Sequence, residues 1–155
     1  MVSTGSRSIV ISFNTTDITN RSGVISNRDG SGGWFVCLNR NGAGRGELVG
    51  GNLSILYSLL GSNSDIDTTG KILFIEDIDE YLYHIDRMMM QLKRSGKLKN
   101  LAGLVVGGMT DMKDNAIPFG KQAEEIISEH VAEYNYPVCF GFSAGHIDRN
   151  LPLYL

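Results

Sequence analysis

The sequence predicts one α/β domain, with a mixed sheet and about three helices. Two observations lead there. Apolar runs without polar alternation, as in Ile72–Ile75 and Leu101–Gly108, suit strands buried on both faces. Between such runs lie stretches of helical period, the clearest being Leu82, Ile85, Met88, Met89 and Leu92. A chain of 155 residues is long enough for one domain with a real core and short for two.

Composition narrows the function classes. Hydrophobic content of 42% with 20% charged residues is that of an ordinary globule, not a disordered chain. A net charge of -3 offers no electrostatic footprint for nucleic acid and no basic face for anionic lipid. No apolar run approaches membrane-spanning length, and Met1 to Ser8 are too polar for a signal peptide. Cys37 and Cys139 form no C-x-x-C, and each sits in an apolar strand-like run. Buried thiols in a reducing, cytoplasmic setting are expected.

The elements follow in chain order. Residues 8–13 and 34–39 read as strands, with a polar, Gly-rich region from Asn14 to Gly33 between them. Asn41-Gly42 is a turn signal. Gly50-Gly51-Asn52 reads as a Gly-rich turn, and Asn52 can cap a helix running from Leu53 to Leu60. No G-x-G-x-x-G or G-K-[ST] accompanies those glycines, so no nucleotide and no other cofactor is expected. Ile72–Ile75 is a buried strand, followed by Glu76, Asp77, Asp79 and Glu80 as an acidic turn into a helix over 79–95. Leu101–Gly108 is the next buried strand, 120–134 an amphipathic helix, and Pro137–Phe140 another strand. On the 120–134 helix Ala123, Ile126, Ile127 and Val131 form the apolar side. Leu151–Leu155 closes the chain with strand character.

Four features could carry chemistry. Carboxylates at the end of a buried strand stand where α/β proteins put their sites. Capping of the following helix accounts for Asp77 and Asp79; Glu76, directly after the apolar run, is the functional candidate. Among the histidines, His130 reads as a surface residue. His84 stands four residues after Glu80, a ligand-compatible spacing, but a metal needs three or four ligands and no second pair is present, so no metal is expected. His146 follows Gly145 in a loop after a buried strand, where an imidazole can act as general base. Gly141-Phe142-Ser143-Ala144-Gly145 spells G-x-S-x-G, yet no helix follows it, as a nucleophile elbow requires. Glu76 and His146 therefore form two members of a nucleophile–base–orienter set that lacks its serine.

Several stretches resemble one family in order and spacing: Glu47–Ser54, Lys71–Asp77, Ile85–Met88, Leu101–Gly107 and Gly145-His146. The chain is similar to the serine LD-carboxypeptidases, which include muramoyl-tetrapeptide carboxypeptidases and microcin C self-immunity proteins. The similarity runs from about residue 46 to 155; residues 1–45 match weakly and would be linker and N-terminal strands. The family has an N-terminal flavodoxin-like domain with the nucleophilic serine on a Gly-x-Ser-Asp turn, and a C-terminal domain with the Glu and the His. This chain looks like the C-terminal domain alone. The resemblance implies that Glu76 is the triad acid and His146 the triad base, that Asn52 contacts substrate, and that Glu80 lines the substrate pocket. It implies a swivelling β/β/α domain with a partly closed sheet or barrel. Many relatives carry proline where Ser143 stands, a further reason to set that serine aside.

The function so implied is hydrolysis of the L,D-peptide bond that releases terminal D-alanine from murein tetrapeptides, in peptidoglycan recycling. Expected partners are that peptide or a related one, the serine-bearing domain of the same protein, and a second copy in a homodimer. Two alternatives stand beside it: a microcin-type self-immunity peptidase, and a non-catalytic binding domain on the same scaffold.

Overall fold

The structure, a computed structural model, describes residues 44–148 and 150, with the backbone of Ile9 and Val10. The strand expected at 34–39, Asn14–Gly33, Cys37, Asn41-Gly42 and Leu151–Leu155 lie outside the described residues. So does the strand expected at 8–13, apart from Ile9–Val10.

In chain order the elements are β1 (Ile9–Val10), β2 (Arg45–Gly46), β3 (Leu48–Asn52), α1 (Leu53–Leu59), β4 (Ile72–Ile78), α2 (Leu82–Arg94), β5 (Gly103–Thr110), α3 (Ala123–Val131) and β6 (Val138–Cys139). The main sheet has the order β3-β4-β5-β6, and every pair in it is parallel. The antiparallel pairing is that of β1 with β2. The α/β class with three helices is therefore as the sequence predicts. Among the described residues the sheet is open, with β3 and β6 at its edges.

Sequential parallel strands joined by right-handed crossovers place every helix on one face, and the packing follows that rule. Leu73, Ile75, Leu104, Val106 and Val138 face the helices, in a core shared with Leu53 and Leu56 of α1, Ile85 and Met88 of α2, and Ile126 and Ile127 of α3. The alternate residues Ile72, Phe74, Val105 and Cys139 face the other way and pack on Phe142 and Ala144. That second face receives the loop carrying His146.

The acidic turn expected after Ile75 is strand instead. β4 continues to Ile78, with Asn52 beside Glu76 and Asp77 beside Met109 in the ladder. The two acids can stay in the sheet because each finds partners on its own face. β3 is likewise a strand where a turn is expected. Gly50 has φ +124 there, and a side chain on it would run into the Phe74 carbonyl.

The helices are shorter than their patterns. α2 begins at Leu82 with Tyr81 as N-cap and no side-chain cap bond. Asp77 and Asp79 thus do not cap it. Asp79 sits at φ 64 with its carboxylate 2.6 Å from Lys113 Nζ, and Asp77 turns to α1. α3 is bounded by a capping box between Gln122 and Glu125. His130 is not a surface residue: it is 7% exposed, and its Nε2 lies 2.8 Å from Asp86 Oδ1 on α2. It stands four residues after Ile126 and three after Ile127, on the buried stripe of α3.

Candidate active site

Glu76 and Asp77 are consecutive strand residues, so their side chains leave opposite faces of the sheet. Each has a different neighbour, and both neighbours are distant in sequence.

On the open face, Glu76 meets His146. His146 Nδ1 lies 2.8 Å from Glu76 Oε2, and the His146 backbone N–H donates to the same oxygen at 3.1 Å. The carboxylate is buried, with 7% of its side chain exposed, whereas 54% of the imidazole is open to solvent. An ionised carboxylate can only accept, so the ring donates through Nδ1. That tautomer leaves the Nε2 lone pair facing outward, ready to take a proton.

The sheet is modified to make room for this pair. Ile75 pairs with Val106 and Asp77 with Met109, so Gly107 and Gly108 together oppose Glu76 in a bulge. A side chain at Gly107 would strike the Ala144 carbonyl and the Phe74 ring. Gly108 N–H donates to the Ala144 carbonyl at 3.0 Å, seating residues 142–147 on the sheet. Gly145 has φ 109, and a Cβ there would come within 2.7 Å of Glu76 Oε2.

On the helix face, Asp77 is 1% exposed and accepts from Asn52 Nδ2 at 2.9 Å, Ser54 N–H at 3.0 Å and Ile78 N–H at 2.9 Å. Burial pushes its carboxyl above the usual carboxylate range, while those three hydrogen bonds pull it down. The folded state then holds the proton more tightly than the unfolded chain, so stability falls as pH rises through that window. Asp77→Ala is expected to remove this slope and, by orphaning Ser54 N–H and Asn52 Nδ2, to cost about 2 kcal/mol at neutral pH. Urea unfolding at several pH values checks both effects.

Asn52 is the cap that the sequence predicts for α1. Its Oδ1 accepts from Ile55 N–H at 3.1 Å and Ser54 Oγ at 2.7 Å. One amide hydrogen of Asn52 goes to Asp77, and the amide carries a second N–H donor. Glu80 Oε2 lies 2.6 Å from His84 Nδ1, and Tyr57 meets the His84 ring edge-on. The structure thus joins Glu76 to His146. It places Asn52 beside Glu76 in the ladder and Glu80 with His84. Ser143 sits in the 141–148 loop, and no helix follows it among the described residues. No group of side chains suited to a metal ion occurs among the described residues.

Thr110, Asn150 and the glycine pair of the bulge are missed in the sequence. A Gly-Gly inside a strand pattern was the available signal, since glycine there often marks a bulge. The partners of Asn150 and Thr110 leave no such trace.

A model of the LD-carboxypeptidase C-terminal domain matches residues 45–155. The chain belongs to that family. Within it, the chain is 45% identical over 114 residues to the Bacillus subtilis (strain 168) protein named "Probable murein peptide carboxypeptidase", covering 71% of this chain and 34% of that protein. The muramoyltetrapeptide carboxypeptidase from Oxalobacter formigenes superposes with a TM-score of 0.61 at 35% identity, over 68% of this chain and 37% of that one. The structure of MccF in complex with glutamyl sulfamoyl guanosine gives a TM-score of 0.54 at 26% identity, over 64% of this chain and 29% of that one. This LD-carboxypeptidase-family chain therefore spans about a third of the length of its curated relatives.

Proposed function

We propose that this chain supplies the acid–base half of a serine-type LD-carboxypeptidase. The reaction is hydrolysis of the L,D-peptide bond that frees terminal D-alanine from a murein tetrapeptide, in cytoplasmic peptidoglycan recycling. The observation that carries the reading is the Glu76–His146 pair: a buried carboxylate 2.8 Å from the Nδ1 of a half-exposed imidazole. Glu76 fixes the tautomer and stabilises the imidazolium, and His146 Nε2 takes the proton of a serine and returns it to the leaving D-alanine amine. The serine comes from a partner domain with a Gly-x-Ser-Asp turn. Asn52 offers its spare N–H to a substrate oxygen, and Glu80 lines the pocket. Residues 1–45 would be linker and first strands, and the whole protein would pair as a homodimer.

The likeness to MccF bound to glutamyl sulfamoyl guanosine favours a second reading, cleavage of an acyl-sulfamoyl nucleoside. Mass spectrometry separates the two. The chain is incubated with murein tetrapeptide and with an aminoacyl sulfamoyl nucleoside, alone and joined to a serine-bearing domain. The expected result is D-alanine release by the joined protein and none by the chain alone. Inertness of the joined protein toward both compounds would sink both peptidase readings. Turnover by the chain alone, lost in Ser143→Ala, would restore that serine as nucleophile.

A further inference from the structure

We propose that Asn150 and Thr110 are positioning residues that hold His146 in register with Glu76; this rests on His146 acting as the base. The two residues Gly145 and His146 present four backbone polar groups, and each is taken. Gly145 N–H donates to Asn150 Oδ1 at 3.0 Å, and Asn150 Nδ2 donates back to the Gly145 carbonyl at 2.6 Å. Ile147 N–H shares that carbonyl at 3.0 Å. His146 N–H goes to Glu76 Oε2 at 3.1 Å, and Thr110 Oγ1 donates to the His146 carbonyl at 2.7 Å.

Such a clamp answers a specific weakness of this site. More than half of the imidazole is in solvent, so packing does little to hold the ring. The residue before it is glycine at φ 109, where the backbone is intrinsically free. Without a clamp, the 2.8 Å ring contact to Glu76 would have to order both the ring and the loop. Asn150 supplies donor and acceptor together and holds both backbone polar groups of Gly145. Thr110 ends β5 just past the Gly107-Gly108 bulge, so its hydroxyl ties the loop to the sheet that carries Glu76. The geometry of the base is thus set by side chains that need not touch substrate.

The test is the nitrogen NMR spectrum of the His146 ring in the whole chain, labelled at histidine. In the unaltered protein it should report one tautomer, with the proton on Nδ1. Glu76→Ala, which leaves the ring no side-chain partner at that position, provides the reference for a released ring. Asn150→Ala, Asn150→Asp (which keeps the acceptor and loses the donor) and Thr110→Val should each move the spectrum toward that reference. Thr110→Ser, which keeps the hydroxyl, should restore the original spectrum. In the assembled enzyme the same losses should lower kcat by about 100-fold with KM unchanged. A His146 spectrum unaltered in Asn150→Ala overturns the clamp. Should that variant fail to fold, an unaltered spectrum in Thr110→Val, or failure of Thr110→Ser to restore it, overturns it equally. The spectrum reports on the clamp whatever the substrate; lack of D-alanine release by the unaltered enzyme counts against the carboxypeptidase reading alone.

Discussion

Replacing His146 by alanine in the assembled enzyme is expected to lower kcat by about 10⁶. In this reading the imidazole is both the acceptor of the serine proton and its donor to the departing amine, so neither half-reaction keeps a path for the proton. The cost should fall on turnover and not on the fold. The ring is 54% exposed, and the backbone bonds of residue 146 to Glu76 and Thr110 do not involve the side chain. Unfolding free energy should stay within about 0.5 kcal/mol of the unaltered protein. Stopped-time assays of D-alanine release, run beside urea unfolding, check both halves. A variant retaining a tenth of its activity would remove His146 from the chemistry.

Glu76→Gln is expected to lower kcat by about 10⁴, with a visible loss of stability as well. The change is isosteric, and the buried site leaves little room for rearrangement. Glu76 Oε2 now accepts from both the ring and the backbone N–H of His146. An amide oxygen can serve those donors but brings no charge to support an imidazolium, and its NH₂ requires an acceptor in a place 7% exposed. If the amide turns, nitrogen faces nitrogen and the ring takes the wrong tautomer. A stability loss of about 1–2 kcal/mol should accompany the drop in rate. That pairing distinguishes Glu76 from His146, whose loss should be felt in rate alone. Equal activity of Glu76→Gln and the unaltered enzyme would reduce the carboxylate to a loop anchor.

What could be read from the sequence was local. The stripe of α2, with Leu82, Ile85, Met88, Met89 and Leu92 buried, follows from period alone. The same holds for Ala123, Ile126, Ile127 and Val131 of α3 and for the start of β4. Asn52 was legible as a cap because its partner, Ile55, is three residues away. The meeting of Glu76 and His146 was within reach, since each is adjacent in sequence to a buried run whose place the core fixes, although Glu76 proves to lie within its strand. What escaped depends on distant partners. β3 carries two glycines that local propensity reads as a turn, and only its ladder with β4 makes it a strand. β4 extends through its acids because Asp77 finds Asn52 and Ser54, 25 and 23 residues away. His130 is buried because Asp86 stands opposite on another helix. No window of neighbouring residues contains those facts.

The consecutive acids of β4 give the strand an unusual sensitivity to length. Glu76 serves the solvent-side imidazole and Asp77 the cap of α1, and their division of labour is set by parity along the strand. Deleting a single residue between Lys71 and Ile75 would carry Asp77 to the His146 face and turn Glu76 toward α1, while reversing the apolar residues before them. Substitutions of one aliphatic residue for another should be tolerated in that stretch. Insertions and deletions of odd length should not, because they exchange the faces from which the two carboxylates leave the sheet. The segment can exchange one aliphatic side chain for another, but its residue count is fixed.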